Sequence, residues 1–154
     1  IRPANIRDLE RIRELNAELF RLEAAHDQTL DMAWPMDARG EKYFRERIEG
    51  VDHAVFVAEQ GGRVVGYVAG GLVKPEDWRN VGRMAEVGDI CVDEDLRGKG
   101  AGSELLQAFF AWCKKQHVER ITLETSVPNR AAIRLYERLG FRGYLLTMEK
   151  RLDQ

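Results

Sequence analysis

Apolar residues recur along the first half of the chain at two spacings, and each spacing predicts one type of element. In residues 8–22 they recur every three or four positions, which predicts an amphipathic helix. Residues 41–48 form a shorter and more charged helical segment. Residues 54–59 and 64–71 are apolar runs joined by residues 60–63, which read Gln-Gly-Gly-Arg. Two extended runs around a Gly-Gly pair predict a β-hairpin.

Strands and helices alternate along the second half of the chain. Residues 84–92 predict a strand, residues 104–116 an amphipathic helix, and residues 121–125 the next strand. A short helix comes next, and residues 144–151 predict a final strand. A hairpin followed by strand–helix–strand is typical of an α/β fold. We therefore expect a mixed central β-sheet that is flanked by helices on both faces.

The composition is that of an ordinary globular protein. Of 154 residues, 44% are hydrophobic and 32% are charged, so we expect a single domain over residues 1–154 with a buried core. The net charge of −2 argues against general binding to nucleic acid. No apolar run has the length of a membrane span and no leader segment stands out, so the expected location is cytoplasmic. Cys91 and Cys113 are expected to be free thiols, which fits that location.

The segment that follows the strand Ile90-Cys91-Val92 carries the strongest chemical signal in the chain. Three glycines occupy alternate positions behind an arginine, and the predicted helix begins directly after them. Glycine lets the backbone approach an anion closely, and the first turn of a helix offers unpaired N–H donors and the positive end of the helix dipole. Two cationic side chains add positive charge. The pattern predicts a cradle for a diphosphate group, formed by Arg97, Gly98, Lys99, Gly100, Ala101, Gly102 and Ser103.

Two common diphosphate-binding loops do not fit this segment. A Walker A loop needs Ser or Thr after its lysine, whereas Lys99 precedes a glycine. The dinucleotide fingerprint needs a third glycine where Ser103 stands. The order of residues 97–102, read as R-x-x-G-x-G, instead resembles the acyl-CoA loop of the GNAT superfamily of N-acetyltransferases.

A second segment, residues 127–141, closely resembles another GNAT signature, N-x-x-A-x-x-x-Y-x-x-x-G-F. Asn129 is placed to cap a short helix, Tyr136 lies on the apolar face of that helix, and Gly140 follows its end. In element order the resemblance covers nearly the whole chain. One departure is that only 14 residues follow Gly140, which leaves room for one full strand and a stub where the family usually makes two strands.

The resemblance implies acetyl-CoA as the acyl-donor cosubstrate. In the family the cradle holds the CoA diphosphate, the strand that contains Ile90, Cys91 and Val92 runs beside the pantetheine arm, and the residue at the position of Asn129 contacts the cofactor. Backbone N–H groups near Cys91 and Val92 are placed to polarise the thioester carbonyl. Tyr136 matches the family tyrosine near the CoA sulfur, and a phenol can pass a proton to a departing thiolate.

Three carboxylates compete for the role of the base that deprotonates the acceptor amine. Glu86 lies on the strand where many family members place a working glutamate, and Gly88 in that strand indicates a β-bulge that helps to open the acceptor cleft. Glu124 matches the glutamate of relatives that acetylate the N-termini of ribosomal proteins. Asp89 is the third candidate. Either glutamate could instead pair with an arginine for structural reasons.

The leading hypothesis is an N-acetyltransferase that moves an acetyl group from acetyl-CoA to a primary amine of a small molecule or peptide, by direct attack in a ternary complex. Neither cysteine has a base motif beside it, so no covalent intermediate is expected. His26, His53 and His117 are far apart in sequence, so no metal site is expected. Acceptor specificity is expected to lie in residues 22–40 and 73–84, and neither nucleic acid nor membrane is an expected partner.

Two other classes of function stay open. A non-catalytic acyl-CoA-binding or sensing module on the same fold would bind CoA and would tolerate the loss of Tyr136, Glu86 and Glu124. A nucleotide-binding α/β domain could use the same cradle, and competition between CoA and ATP would separate that case. Many GNAT proteins form homodimers, and the composition does not indicate the number of subunits here.

Overall fold

Within residues 1–152, which the computed structural model describes, five strands form one mixed β-sheet in the order β1-β2-β3-β4-β5. Strands β1 to β4 pair antiparallel with their neighbours, and β5 pairs parallel with β4. The strands are β1 (Arg2–Pro3), β2 (His53–Gln60), β3 (Arg63–Val73), β4 (Met84–Val92) and β5 (Arg120–Leu123). The α-helices are α1 (Leu9–Glu23), α2 (Ala38–Glu49), α3 (Ala101–Lys115) and α4 (Arg130–Arg138).

Helices cover both faces of the sheet, and each face has its own hydrophobic core. On one face α1 and α2 pack around a core that includes Ile12, Leu15, Phe44, Val57 and Tyr67. On the other face α3 and α4 pack around a core that includes Val68, Ala85, Leu105, Leu106 and Phe109. The predicted α/β fold with helices on both faces is therefore confirmed. The two sides are called the α1/α2 face and the α3/α4 face below.

The predicted hairpin and helices are confirmed, but α2 and α3 each begin earlier than predicted, α3 at Ala101 rather than at residue 104. Gly61 and Gly62 join β2 to β3 with φ values of 59° and 77°, the left-handed conformation that a two-residue hairpin turn requires. The second helix begins at Ala38 rather than at residue 41, because Asp37 caps it. The Asp37 carboxylate accepts hydrogen bonds from the backbone N–H groups of residues 39 and 40.

Strand β4 carries the irregularity that shapes the site. Its pairing with β3 shifts register because Ala69 lies opposite Asp89 while Gly70 lies opposite Val87, which leaves Gly88 as an extra residue on β4. This confirms the β-bulge that Gly88 predicts. Pairing between β4 and β5 ends where Val87 lies opposite the last residue of β5. Beyond Val87 the two strands part, since β5 has ended and the bulge bends β4.

The predicted final strand over residues 144–151 is wrong. These residues are exposed and belong to no helix or strand, and no backbone–backbone hydrogen bond within residues 1–152 involves them. A strand needs a partner for its N–H and C=O groups, and the neighbouring edge of β5 does not pair with this segment. The described sheet therefore has neither the full strand nor the stub that the sequence predicts after α4.

Two further expectations concern the cysteines and the membrane. Cys91 and Cys113 are buried, and neither forms a disulfide within the described residues, as predicted. Among the helices of residues 1–152, none combines the length and the hydrophobicity that crossing a bilayer requires.

Gly70→Ala should destabilise the fold, because β3, β4 and α3 approach one another closely at this position. A Cβ atom there would lie 2.7 Å from the ring atoms Cε2 and Cζ of Phe109 and would also clash with the carbonyl oxygen of Glu86. Overpacking of this kind costs about 1–3 kcal/mol. Gly143→Ala is the matched control, because no described atom lies within 4 Å of its added Cβ. In urea unfolding, the midpoint of Gly70→Ala should lie below that of the unmodified protein, and the midpoint of Gly143→Ala should not change. Equal midpoints for the two variants would contradict the packing at Gly70.

Candidate functional site

The predicted diphosphate cradle lies between β4 and α3. After β4 the chain makes a short 3₁₀ turn (Glu94–Leu96), and Gly98 and Gly100 then adopt φ values of 74° and 98°. Positive φ values strongly favour glycine, so a larger residue at either position would strain the loop. Gly100 is also the N-cap residue of α3, and the helix begins directly after it.

The first turn of α3 offers hydrogen-bond donors to this loop. The N–H groups of Ala101, Gly102 and Ser103 have no carbonyl partner within the helix, and no side chain of residues 1–152 caps this end. The helical hydrogen bonds begin with the N–H of Glu104, which donates to the carbonyl of Gly100 at 3.1 Å. An uncapped helix start fits an anionic group, because its donors and its dipole favour negative charge. The cradle therefore offers the hydrogen-bond donors that an anionic group such as a diphosphate requires.

The two cationic side chains of the cradle have different contacts. The Nε of Arg97 donates to the carbonyl of Val92 at 2.9 Å, which ties the loop back to the end of β4. Lys99 is exposed, as is most of Arg97. Arg97 therefore shapes the loop, and the positive charges of both side chains are accessible to an anionic ligand.

The strand before the cradle has an open edge. On one side β4 pairs with β3 as far as Val92. On its other side β4 has no strand partner within residues 1–152 after Val87. Apart from the carbonyl of Val92, which accepts from Arg97, the N–H and C=O groups of residues 88–92 that face β5 are therefore available to an extended ligand chain. This stretch contains the predicted Ile90, Cys91 and Val92.

Cys91 is a buried thiol within that strand. Its side chain belongs to the core of the α1/α2 face. Burial raises the pKa of the Cys91 thiol to about 11. A thiol that keeps its proton is a poor nucleophile, which disfavours an acyl-cysteine intermediate.

Helix α4 matches the second motif. Asn129 caps it, because its Oδ1 accepts a hydrogen bond from the N–H of Ala132 at 3.2 Å. Tyr136 is buried in the core of the α3/α4 face. Gly140 follows the helix with a φ of 91°. The cap, the buried face and the helix end that the motif predicts are all confirmed.

Glu23 links α1 to the loop before α4. Its carboxylate accepts hydrogen bonds from Ser126 Oγ at 3.0 Å and from Asn129 Nδ2 at 3.1 Å. The link joins a helix that packs on β4 to the loop that follows β5, and so it connects the two sides of the gap between these strands. Sequence analysis missed Glu23, because its partners lie 103 and 106 residues away and no local pattern marks it.

Tyr136 is held in its neutral form. Burial raises the pKa of its phenol to about 12, and the negative charge of Glu23 adds to this effect. The phenol therefore keeps its proton across the neutral pH range, and it can act as a hydrogen-bond donor.

Glu86 is exposed and lines a small pocket of about 90 Å³. The pocket brings it together with three side chains that sequence analysis missed, those of Tyr43, Arg47 and His53. The guanidinium carbon of Arg47 lies 3.4 Å from the centre of the Tyr43 ring, a cation–π contact. Burial lowers the pKa of His53, and its Nδ1 has no hydrogen-bond partner within the described residues.

Asp89 lies deeper, in a polar network under α1 and α2. Its carboxylate accepts hydrogen bonds from Tyr43 Oη at 2.8 Å and from Asn16 Nδ2 at 3.3 Å. Asn16 Nδ2 also donates to Tyr67 Oη at 2.9 Å. Burial raises the pKa of Asp89. One feature of the sequence marks Asn16: it lies four residues after Ile12 in the apolar stripe of α1, where a polar residue is unusual.

Glu124 is not among the residues that line the pocket of Glu86. It is exposed and directly follows β5, whereas Glu86 lies opposite Thr122 within the paired part of β4 and β5. The structure therefore brings Glu23, Asn129 and Tyr136 together and places Glu86 beside His53. It leaves Glu124 at the start of the loop between β5 and α4.

The histidines are dispersed in the structure as in the sequence. His26 is exposed just after α1, and His117 lies just after α3. Within residues 1–152, no three His, Cys, Asp or Glu side chains are grouped as a metal site would require.

Comparison with known proteins identifies the family. The model of the acetyltransferase (GNAT) family matches residues 9–141. The L-amino acid N-acetyltransferase AaaT of Escherichia coli is 30% identical over 144 residues, which cover 92% of this chain and 81% of that protein. The N-alpha-acetyltransferase of Sulfurisphaera tokodaii is 35% identical over 105 residues, which cover 65% of this chain and 63% of that protein.

Some relatives are considerably longer than the matched part. The uncharacterized N-acetyltransferase MJ1207 of Methanocaldococcus jannaschii is 34% identical over 102 residues, which cover 64% of this chain and 43% of that protein. The chain thus spans less than two thirds of the length of this relative and of the Sulfurisphaera tokodaii relative.

Solved structures share the fold. A mutant of the BH1408 protein from Bacillus halodurans has a TM-score of 0.87 at 24% identity, with 98% of each chain covered. The aminoglycoside N-acetyltransferase AAC(6')-Iy in complex with CoA has a TM-score of 0.78 at 19% identity, with 98% of this chain and 92% of that chain covered. Because the family model covers most of the chain and AaaT is similar over nearly all of it, this chain belongs to the acetyltransferase (GNAT) family.

Proposed function

We propose that this chain is an acetyl-CoA-dependent N-acetyltransferase, which moves the acetyl group to a primary amine of a small molecule or peptide by direct attack in a ternary complex. The observation that carries this proposal is the gap between β4 and β5. An uncapped helix start with two cationic side chains lies where β4 ends, and carboxylates lie on both sides of the gap.

An acyl donor fits this gap from the cradle inward. The backbone of residues 98–103, with Arg97 and Lys99, would hold the CoA diphosphate. The free edge of residues 88–92 would hydrogen-bond the pantetheine arm, and Asn129 would contact it from the other side of the gap. A neighbour of the same fold was solved in complex with CoA, which supports CoA as the ligand to test.

The acceptor amine must lose a proton before it attacks. A lysine-type ammonium has a pKa of about 10.4, so a group on the protein has to accept that proton at neutral pH. Glu86 is the best-placed candidate, because its carboxylate is exposed in the pocket. Asp89 is partly buried and hydrogen-bonded to two side chains, which makes it a positioning group for Tyr43 and Asn16. Glu124 is the second candidate for the base.

Tyr136 would assist the departing thiolate. A thiol has a pKa of about 8.5, whereas that of the Tyr136 phenol is raised to about 12. The phenol therefore donates a hydrogen bond to the sulfur more readily than it gives up its proton. Backbone N–H groups near Cys91 and Val92 would stabilise the negative charge that develops on the thioester oxygen.

The acceptor would occupy the pocket of Glu86 and the depression beside it. This depression has a volume of about 360 Å³, shares Leu72 and Val73 with the pocket, and is lined by both acidic and basic side chains, including Asp52, Lys74 and Arg83. One relative is named an L-amino acid N-acetyltransferase and another an N-alpha-acetyltransferase. Primary amines of small molecules and of peptides are therefore the acceptor classes to test.

The proposal is tested by measuring CoA release from acetyl-CoA with a panel of L-amino acids, polyamines, aminoglycosides and peptides with free N-termini. Release above the rate of acetyl-CoA hydrolysis is expected for at least one class. If calorimetry shows CoA binding but no acceptor in the panel stimulates CoA release, an acyl-CoA-binding module would be favoured. Displacement of CoA by ATP would favour a nucleotide-binding domain.

Gly100→Val should abolish most CoA binding, because a side chain at a φ of 98° would strain the cradle and displace its N–H groups. We expect the dissociation constant to rise at least about tenfold, or 1.4 kcal/mol. Gly62→Val is the matched control, since Gly62 also has a positive φ but lies in the hairpin turn. Calorimetry with CoA should separate the two variants, and unchanged affinity in a folded Gly100→Val protein would contradict the assignment of the cradle.

Tyr136→Phe should lower kcat about 100-fold or more while CoA affinity changes little, because only the hydrogen-bonding hydroxyl is lost. Tyr144→Phe is the control, since Tyr144 is an exposed tyrosine outside the site. Steady-state kinetics with the best acceptor of the panel makes the comparison. Equal kcat for Tyr136→Phe and the unmodified protein would remove Tyr136 from the mechanism.

Glu86→Gln should lower kcat by about 100-fold, because the variant lacks a carboxylate to accept the proton. Glu124→Gln should have a much smaller effect, and Glu137→Gln, on the exposed side of α4, should have none. A larger loss of kcat in Glu124→Gln than in Glu86→Gln would assign the base to Glu124.

A further inference from the structure

The pocket of Glu86 is lined by charges of both signs. Glu86 supplies a carboxylate from β4, and Arg47 supplies a guanidinium group from α2. The two groups do not form an ion pair with each other, since no carboxylate oxygen of residues 1–152 lies within 4 Å of the Arg47 nitrogens. The volume of about 90 Å³ has room for only a few non-hydrogen atoms. The pocket therefore suits a small group that carries a cation and an anion close together.

The guanidinium group of Arg47 is held in place without a counterion. The exposed arginines of the same helix, Arg39 and Arg45, pair with carboxylates of the chain at 2.6 and 2.9 Å. Arg47 instead stacks on the Tyr43 ring and donates from Nη1 to the Tyr43 carbonyl at 3.4 Å. Its other N–H groups have no partner within the described residues, and a guanidinium fork of this kind binds a carboxylate with two parallel hydrogen bonds.

His53 does not add a second cation to the pocket. Burial lowers the pKa of its imidazole, and the positive charge of Arg47 lowers it further. The imidazole is therefore neutral at neutral pH. Arg47 is then the one cationic side chain among the described residues that line the pocket, so an anionic group of a ligand has a single defined partner there.

The opposite side of the pocket favours an ammonium group. Burial and the negative charge of Asp89 raise the pKa of the Tyr43 phenol, which keeps its proton and donates it to Asp89 at 2.8 Å. The lone pairs of Tyr43 Oη can then only accept, as can the carboxylate of Glu86. A Cβ atom added at Gly88 would lie 3.1 Å from Tyr43 Oη, so these acceptors lie beside the start of the open edge of β4.

We propose that the acceptor is a free amino acid, with its ammonium group held by Glu86 and Tyr43 and its carboxylate bound by Arg47. This specifies the acceptor of the transferase proposed above and rests on that proposal. The side chain of the amino acid would extend into the depression that shares Leu72 and Val73 with the pocket. Polyamines, aminoglycosides and peptide N-termini have no carboxylate on the carbon that carries the reacting amine, so they leave Arg47 without a partner.

Paired substrates test the role of Arg47. Each L-amino acid is compared with its α-carboxamide, which keeps the ammonium group and the side chain but lacks the negative charge. For the best amino acid, kcat/KM should be at least about tenfold higher than for its amide, because a charge-assisted hydrogen-bonded pair is lost. In Arg47→Gln the KM for the amino acid should rise about tenfold, while the kinetics with the amide stay unchanged.

Arg45→Gln is the matched control, because it removes an exposed arginine of the same helix and should change the kinetics with neither substrate. Equal losses for amino acid and amide in Arg47→Gln would show that Arg47 only supports the structure, and they would overturn the proposal. Equal kcat/KM for an amino acid and its amide in the unmodified protein would overturn it as well.

Calorimetry with the same L-amino acids and amides, with and without CoA, separates this proposal from the transferase. Binding of an amino acid that weakens for its amide and in Arg47→Gln, without any acceptor-dependent CoA release, would keep the amino-acid site and overturn the transfer. Release with peptides, polyamines or aminoglycosides only would keep the transferase and overturn the amino-acid acceptor. Absence of amino-acid binding both with and without CoA would also overturn it.

Discussion

The parting of β4 and β5 is the feature on which the candidate site depends. A parallel pair that stayed hydrogen-bonded along its whole length would leave no room for a ligand chain between its strands. Here the pairing ends at Val87 and Leu123, and the bulge at Gly88 bends β4. The backbone of residues 88–92 then has donors and acceptors without strand partners among the described residues, and such groups favour a ligand that can pair with them. The predicted diphosphate cradle follows where the same strand ends, so one strand positions both parts of the proposed acyl-donor site.

Charge is distributed unevenly around this gap. The start of α3, with Arg97 and Lys99, favours an anion, while the carboxylates Glu23, Glu86 and Asp89 lie at or near the other parts of the gap. Their surroundings differ, because Glu86 is exposed in a pocket, Glu23 is hydrogen-bonded to the loop after β5, and Asp89 is partly buried under α1 and α2. A cationic amine and an anionic diphosphate are therefore favoured at different places. Glu23 also acts on Tyr136, since its negative charge adds to the burial that keeps the phenol protonated.

Local signals in the sequence predict most of the fold and the cofactor side of the site. The hairpin glycines, the bulge at Gly88, the cap at Asn129 and the cradle all depend on residues that are close in sequence, and the structure has each of these elements where the pattern puts it. Contacts between distant residues gave no such signal. Glu23 meets its partners across the gap, and Tyr43, Arg47 and His53 meet Glu86 only because α2 and β2 pack beside β4. The predicted final strand is wrong for a related reason, since its alternating pattern describes a segment that can pair but does not specify a partner within the same chain.

A crystal structure with bound CoA would locate the cofactor on the protein. We expect the diphosphate at the N–H groups of residues 98–103, the pantetheine arm along residues 88–92 of β4, and the sulfur beside Tyr136. Electron density for CoA elsewhere on the chain, with the gap between β4 and β5 closed or empty, would contradict the proposed site.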